Sequence, residues 1–245
     1  MEKVRLEHKK EFIKALDGYQ PSPKAYEILR HIPLVIMLGV TGSGRNTIIN
    51  HLVGSGKYHF IISDTTRPPK LRDGAMEQDG VNYHFRKELD MLEDLRAGMF
   101  LEAELIHDQQ VSGISIRELR QASESGKVPI NEIDVGGTVS IRNAKSDTLF
   151  FFVVPPSFRE WIYRLKGREA MSDEELKNRL TTAVKVLDEG LERNDFIFIV
   201  NDSSHQSAEE IDAYVHKRAV MGDQQAAREI SQNIKKELLE YIGTH

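Results

Sequence analysis

Gly39-Val40-Thr41-Gly42-Ser43-Gly44-Arg45-Asn46-Thr47 stands between a continuous apolar run, Leu34 to Leu38, and an apolar helical stretch, Ile48 to Val53. An uninterrupted run of that kind suits a strand buried on both faces of a parallel sheet. The glycines let the backbone turn tightly and aim its N–H groups at phosphate, and a helix N-terminus behind them adds partial positive charge. Strand, glycine turn and helix in this order predict a phosphate loop, with candidate contacts at Gly39, Thr41, Gly42, Ser43, Gly44, Arg45, Asn46 and Thr47. The full pattern closes with Lys and then Ser or Thr. Here Arg45 and Asn46 hold those two places. A glycine-rich turn without a ligand is the plainer alternative for the same residues.

Apolar runs recur at Phe60 to Ile62, Val128 to Ile133, Leu149 to Val154 and Phe196 to Val200, with helical stretches between them. Ser115 with Glu118, Ser172 with Glu175, and Ser207 with Glu210 have the spacing of capping boxes and mark helix starts. Buried strands alternating with helices predict an α/β fold with a parallel β-sheet, whose ligand sites lie beyond the carboxyl ends of the strands. From about Tyr83 to Ser115, short strand-like pieces surround one helix, which predicts a small inserted subdomain. The first thirty or so residues read as a charged helical segment with apolar Leu6, Phe12, Ile13 and Leu16, and Ser22-Pro23 reads as an N-cap followed by proline at the first helical position. After Val215 the chain reads as polar helix, ending in a stripe of Ile230, Ile234, Leu238 and Ile242. A bare stripe of this size is an association hazard. Both terminal segments are therefore predicted to pack on the body or on a partner subunit, which would make a homodimer.

The 245 residues carry a formal net charge of −5 and no cysteine. Disulfides, thiolate nucleophiles and cysteine zinc sites are excluded, and a reducing compartment fits. The acidic balance argues against general affinity for nucleic acid or acidic membranes. The charged start, MEKVRLEHKK, lacks the apolar stretch of a signal peptide, and no run is long enough to span a bilayer. The protein is read as soluble and cytoplasmic.

Just beyond the second apolar run comes Ser63-Asp64-Thr65-Thr66-Arg67-Pro68-Pro69-Lys70. This segment resembles the Ser-x-Thr-Thr-Arg-x-Pro-Arg segment of guanylate kinases. The resemblance continues through Asp79-Gly80-Val81-Asn82-Tyr83-His84-Phe85, Gly98-Met99-Phe100-Leu101-Glu102, Ile133-Asp134-Val135-Gly136-Gly137, Pro155-Pro156-Ser157, Arg164-Leu165-Lys166-Gly167-Arg168, Asn178-Arg179-Leu180 and Val200-Asn201-Asp202. The blocks keep the family's order and spacing from about Leu34 to Val215. The resemblance implies the P-loop kinase fold: a parallel sheet flanked by helices, an inserted nucleotide-monophosphate-binding subdomain at about 64–115, and a helical lid at about 164–180. It places these in a domain over 33–218, between an N-terminal helical extension (1–32) and a C-terminal helix (219–245).

The implied activity is ATP-dependent phosphorylation of GMP to GDP with Mg²⁺. On the acceptor side the resemblance assigns Arg67, Lys70 and Tyr83 to the GMP phosphate, a dianion suited to two cations and a phenol hydroxyl. Glu102 falls on the carboxylate that reads guanine; an ionised carboxylate only accepts, and guanine offers two adjacent donors. Ser63 and Asp134 fall on the other base-contacting positions. Arg168 and Arg179 match the lid arginines, which with Arg45 and Arg67 form the implied catalytic set, stabilising charge on the moving phosphoryl group. Glu132 stands where the family has aspartate and, with Asn46, is the implied holder of hydrated Mg²⁺. Asn201 matches the adenine-side asparagine, although a turn residue is the plainer reading.

The sequence also departs from the family. Lys70 replaces an arginine and loses its bidentate fork. Ser112 and Ile114 replace a phosphate-touching tyrosine and a guanine-reading hydroxyl, and the loop between Asp73 and Tyr83 is longer than usual. Arg45 and Asn46 predict slowed phosphoryl transfer, and the loss of a polar reader at Ile114 predicts weakened discrimination. They keep two alternatives open: a catalytically impaired guanylate kinase-like binding module, and a kinase of another small phosphate acceptor.

Overall fold

The computed structural model describes residues 6–72, 74–167 and 172–244. Helices α1 (Lys9–Leu16) and α2 (Pro23–Leu29) precede β1 (Val35–Gly39), and α3 (Arg45–Gly54) leads to β2 (Tyr58–Phe60). Next come β3 (Asp64–Thr65), β4 (Leu71–Arg72), β5 (Ala75–Met76), β6 (His84–Phe85), α4 (Glu88–Arg96), β7 (Phe100–Ile106) and β8 (Gln110–Ser115). The chain continues through α5 (Ile116–Glu124), β9 (Val128–Glu132), α6 (Thr138–Ala144), β10 (Leu149–Val154), α7 (Phe158–Lys166) and α8 (Asp173–Glu192). It ends with β11 (Phe196–Val200), α9 (Ser204–Val215) and α10 (Gln224–Thr244). Two compact units result: a first of residues 1–34, 59–129 and 139–148, and a second of 35–58, 130–138 and 149–245.

The large sheet has the strand order β11-β10-β1-β9-β2. Within it β1 runs parallel to both β10 and β9, and β10 runs parallel to β11. Every residue of β1 is buried, as its unbroken apolar run requires. In the second unit α8 and α10 pack together, and α10 also lies on β11 and α7. The apolar stripe of α10 is thereby consumed within the chain: Ile234 and Leu238 are fully buried, while Ile230 and Ile242 sit half-buried at the rim.

The first unit carries the inserted subdomain as a four-stranded sheet in the order β6-β3-β8-β7. Helix α4 buries Met91, Leu92 and Leu95 there, and the N-terminal segment closes over the same cluster with Phe12 and Leu6. Ser22 caps α2 by accepting from the Ala25 N–H, with Pro23 at the first helical position. Two expectations need correction. Ile13 is 49% exposed, so Phe12 rather than Ile13 anchors α1. Ser207 is not a cap: Ser203 caps α9, accepting from Gln206, because the buried Ser207 hydroxyl is drawn to Asn201 Oδ1 at 3.4 Å.

Ser115 and Ser172 do cap their helices as the spacing predicts. Glu118, the fourth residue of the first box, is 2% exposed. Its Oε1 meets His59 Nε2 at 2.7 Å and accepts from the Ile62 N–H at 3.1 Å, while Oε2 meets His84 Nε2 at 3.0 Å. Burial alone would raise its pKa, but the bonds from His59, Ile62 and His84 outweigh that and hold the carboxyl below its ordinary value. A depressed folded-state pKa contributes stability above the unfolded value, and that stability is lost as pH falls through the folded one. Glu118→Gln is therefore expected to cost about 1.5–3 kcal/mol at pH 7. Urea unfolding at pH 7 and pH 3.5 should show the gap narrowing in acid.

Candidate functional site

In the second unit, the loop between β1 and α3 winds around the N-terminus of α3. Gly44 takes φ +96°, and a Cβ there would fall 2.1 Å from Asn201 Nδ2, so this position admits only glycine. Asn201 is fully buried. Its Nδ2 donates to the Ser43 carbonyl at 2.7 Å, and its Oδ1 accepts from Ser204 and Ser207. Its side chain thus braces the glycine-rich loop from behind. Trp161 Nε1–H donates to the Thr41 carbonyl at 2.8 Å, and Arg164 donates to the Asn201 carbonyl at 2.8 Å. Trp161 and Asn201 thus anchor the loop, a role hidden from the motif because they lie 120 and 158 residues away in sequence.

Above the loop opens a cavity of about 580 Å³, lined by Gly42, Gly44, Thr47, Tyr163, Arg164 and Lys166, among others. A helix N-terminus, glycine backbone and cationic side chains make it suited to an anion. Ser43 is fully buried and spends its N–H on the Val40 carbonyl; Thr41 is exposed at the turn. Arg45 Nε lies 3.8 Å from Glu132 Oε2. With its amide nitrogen turned toward Glu132, Asn46 donates to Oε2 at 2.7 Å and to Oε1 at 3.3 Å. The three replaced residues thus form one local cluster. The cluster contains one carboxylate and one side-chain amide, whose oxygens are donors of the kind that fit a hard, largely hydrated cation. Asp134 is exposed at the start of a short 3₁₀ turn. Arg179 pairs with Glu175 at 2.6 Å on α8, and Arg168 lies outside the described residues.

In the first unit, Arg67 is 7% exposed and its two terminal nitrogens grasp Glu77 at 2.5 and 2.9 Å. The Lys70 N–H donates to the same carboxylate at 3.0 Å. The Arg67 guanidinium also lies 4.7 Å from the Tyr83 ring centroid. Arg67, Lys70 and Tyr83 are therefore brought together, around a carboxylate that sequence reading passed over. Lys70 keeps an exposed side chain and Ser63 is half-buried. Ser112, in place of the expected tyrosine, bonds Thr65 Oγ1 at 2.8 Å.

Glu102 lies on β7, opposite Ile114 on β8. Gly113 lets the strands close here: a Cβ on it would meet the Glu102 carbonyl oxygen at 2.5 Å. Glu102 keeps some accessible surface, but protein surrounds its carboxyl end. Burial pushes its pKa up to about 7, neighbouring Glu104 adds to the rise, and the Ile114 N–H offsets part of it.

A model of the family described as "Guanylate kinase" matches residues 31–218. "Guanylate kinase 1" of Arabidopsis thaliana is 34% identical over 172 residues, covering 69% of this chain and 43% of that protein. "Guanylate kinase 1" of Oryza sativa subsp. japonica is 35% identical over 157 residues, covering 63% of this chain and 40% of that protein. This chain thus spans less than half the length of these two relatives. "Guanylate kinase" of Sulfurimonas denitrificans is 33% identical over 177 residues, covering 71% of this chain and 82% of that protein.

Proposed function

This chain belongs to the guanylate kinase family, and from that premise we propose that it transfers the γ-phosphoryl group of ATP to the phosphate of GMP, yielding ADP and GDP. The observation that carries this reading is the cavity of about 580 Å³ over the glycine loop, with Arg164 and Lys166 on its wall. The backbone of the loop and the N-terminus of α3 take the β- and γ-phosphates, and Arg45 supplies charge at their edge. Arg67, Lys70 and Tyr83 take the GMP phosphate. Glu102, ionised, accepts from guanine, with Ser63 and Asp134 as further base contacts. A phosphate oxygen of GMP attacks the γ-phosphorus in line as the bond to the ADP oxygen breaks. Arg179 and Arg168 stabilise the charge spread during transfer, and no covalent enzyme intermediate is required. Mg²⁺, held by Glu132 and Asn46 through its water shell, would neutralise phosphate charge. No helix among the described residues is long and apolar enough to cross a membrane.

Isothermal titration with ATP and with GMP, followed by a coupled ADP-release assay, tests this reading; absence of nucleotide binding would leave the binding-module alternative in its place. The Arg45–Asn46–Glu132 cluster adds a sharper expectation. Arg45 keeps the charge on a broad planar group, whereas a lysine ammonium follows the γ-phosphate as a compact point charge. Arg45→Lys combined with Asn46→Ser is expected to raise kcat about tenfold, worth about 1.4 kcal/mol of barrier, with little change in the KM for ATP. A slower double variant would make Arg45 an adapted catalytic residue.

A further inference from the structure

Residues before 31 lie outside the family match, yet in the first unit they make a specific contact beside the residue proposed to read guanine. The hydroxyl of Tyr19 donates to the Phe100 carbonyl at 2.9 Å and accepts from the Phe100 N–H at 2.9 Å. One hydroxyl can do both. It thereby takes the two polar groups that a neighbouring strand would take, and β7 is an edge strand of its sheet. The attachment falls on an irregularity. Phe100 pairs with Ser115 and Glu102 pairs with Ile114, so Leu101 is an extra residue in β7. Bulges bend a strand and re-aim the side chains that follow. Here the side chain that follows is Glu102.

The rest of the extension holds Tyr19 in place. Phe12 and Leu6 are buried against Met91, Leu92, Leu95, Phe100 and Val111. The Ser22 N–H donates to the Gly98 carbonyl at 2.9 Å. The groups that bear on Glu102 are Glu104 on its own strand, the Ile114 N–H on β8 and Tyr19 from the extension; Tyr26 on α2 in turn bears on Tyr19.

We propose that the N-terminal extension is a specificity element in which Tyr19 is a positioning residue: by clamping Phe100 it fixes the bulge that aims and encloses the Glu102 carboxylate. This rests on the proposed role of Glu102. Loosening the clamp lets water reach the carboxylate and lets its direction vary. Both effects act on acceptor binding and leave the phosphate loop untouched.

The test is the KM for GMP measured against pH, from 5.5 to 8.5, in the full chain. Tyr19→Phe keeps the ring and removes both bonds. It is expected to raise the KM for GMP at least fivefold and to shift the midpoint of its pH profile to lower pH by at least half a unit. The KM for ATP, and kcat at saturating GMP, should stay within twofold. Tyr26→Phe, whose hydroxyl bonds Gln20, should leave the midpoint in place. So should Leu16→Ala, which loosens packing on the same cluster but keeps the hydroxyl clamp. Tyr19→Phe with an unmoved midpoint, or Leu16→Ala with an equal shift, would overturn the proposal. A Tyr19→Phe chain that does not fold would overturn it as well, since the hydroxyl would then be a general requirement of the fold. Glu102→Gln separates the two layers. If it leaves nucleotide preference unchanged, the acceptor reading fails; if it abolishes the preference while Tyr19→Phe does nothing, only the positioning role fails.

Discussion

Glu102→Gln is expected to erase the preference for GMP over AMP, a loss of about 100-fold or more in the ratio of kcat/KM values, and to make the nucleotide-free protein more stable above neutral pH. The first effect follows from donor and acceptor chemistry. An ionised carboxylate meets the N1–H and amino donors of guanine with two acceptors, whereas glutamine turns one of its ends into a donor facing a donor. The second effect follows from burial, which lifts the Glu102 pKa from 4.5 to about 7. Between those values the folded protein holds a proton that the unfolded chain releases, so stability is present below the lower value and lost as pH rises through the upper one. Glutamine carries no charge and escapes that loss. The variant should melt at the wild-type temperature at pH 4 and about 4 °C or more above it at pH 8, as followed by calorimetry. With Glu102 in the proposed role, wild-type GMP binding is expected to tighten from pH 6 to pH 8. Unaltered selectivity together with parallel melting curves would remove Glu102 from the site.

The largest stability effect is expected at Glu77. Its carboxylate holds both terminal nitrogens of Arg67 and the Lys70 N–H inside the first unit. Removing one partner of a buried ion pair leaves an uncompensated charge and costs about 3–5 kcal/mol, more than the intact pair contributes. Glu77→Ala should lose stability on that scale in urea titrations at pH 7. Arg67 would then be free to leave the Tyr83 ring, so the KM for GMP should rise while the KM for ATP stays unchanged. If the KM for GMP falls instead, Glu77 competes with the acceptor phosphate and does not orient its receptor. A loss below about 1 kcal/mol would mean that water already reaches the pair.

Where sequence patterns are local, they located the elements well. Phe196 to Val200 is a strand at the bounds its apolar run predicts, and Ser22-Pro23 and Ser115 start helices as their spacing requires. Local patterns misled where a distant partner decides. The strand read at Phe60 to Ile62 begins two residues earlier, because Tyr58 is buried and bonds Asp212 at 3.2 Å. Ser203, Ser204 and Ser207 all suit a cap, and the choice among them rests on Asn201. The strand, glycine-rich turn and helix over 35–54 were legible from residue types and order, and the grouping of Arg67, Lys70 and Tyr83 from the resemblance. Glu77 was not, since its meaning depends on a short hairpin, β4 with β5, that turns it back onto Arg67. Tyr19 was likewise hidden, 81 residues from its partner Phe100.

The attachment of α10 to β11 bears on a different property, the behaviour of this protein at high concentration. Phe198 lies in an outermost strand of the large sheet, with a sequence, Phe-Ile-Phe-Ile-Val, rich in residues that favour cross-strand stacking. The side-chain amide of Gln224 accepts from the Phe198 N–H at 2.8 Å and donates to its carbonyl at 3.1 Å. Arg228 adds bonds to the carbonyls of Arg193 and Phe196. An outer strand with free backbone groups is a template for another chain, and natural proteins blunt such edges. The C-terminal helix therefore works as a guard against strand-to-strand aggregation. A chain cut before Gln224 would free the Phe198 N–H and carbonyl and uncover the side of β11 that α10 packs against.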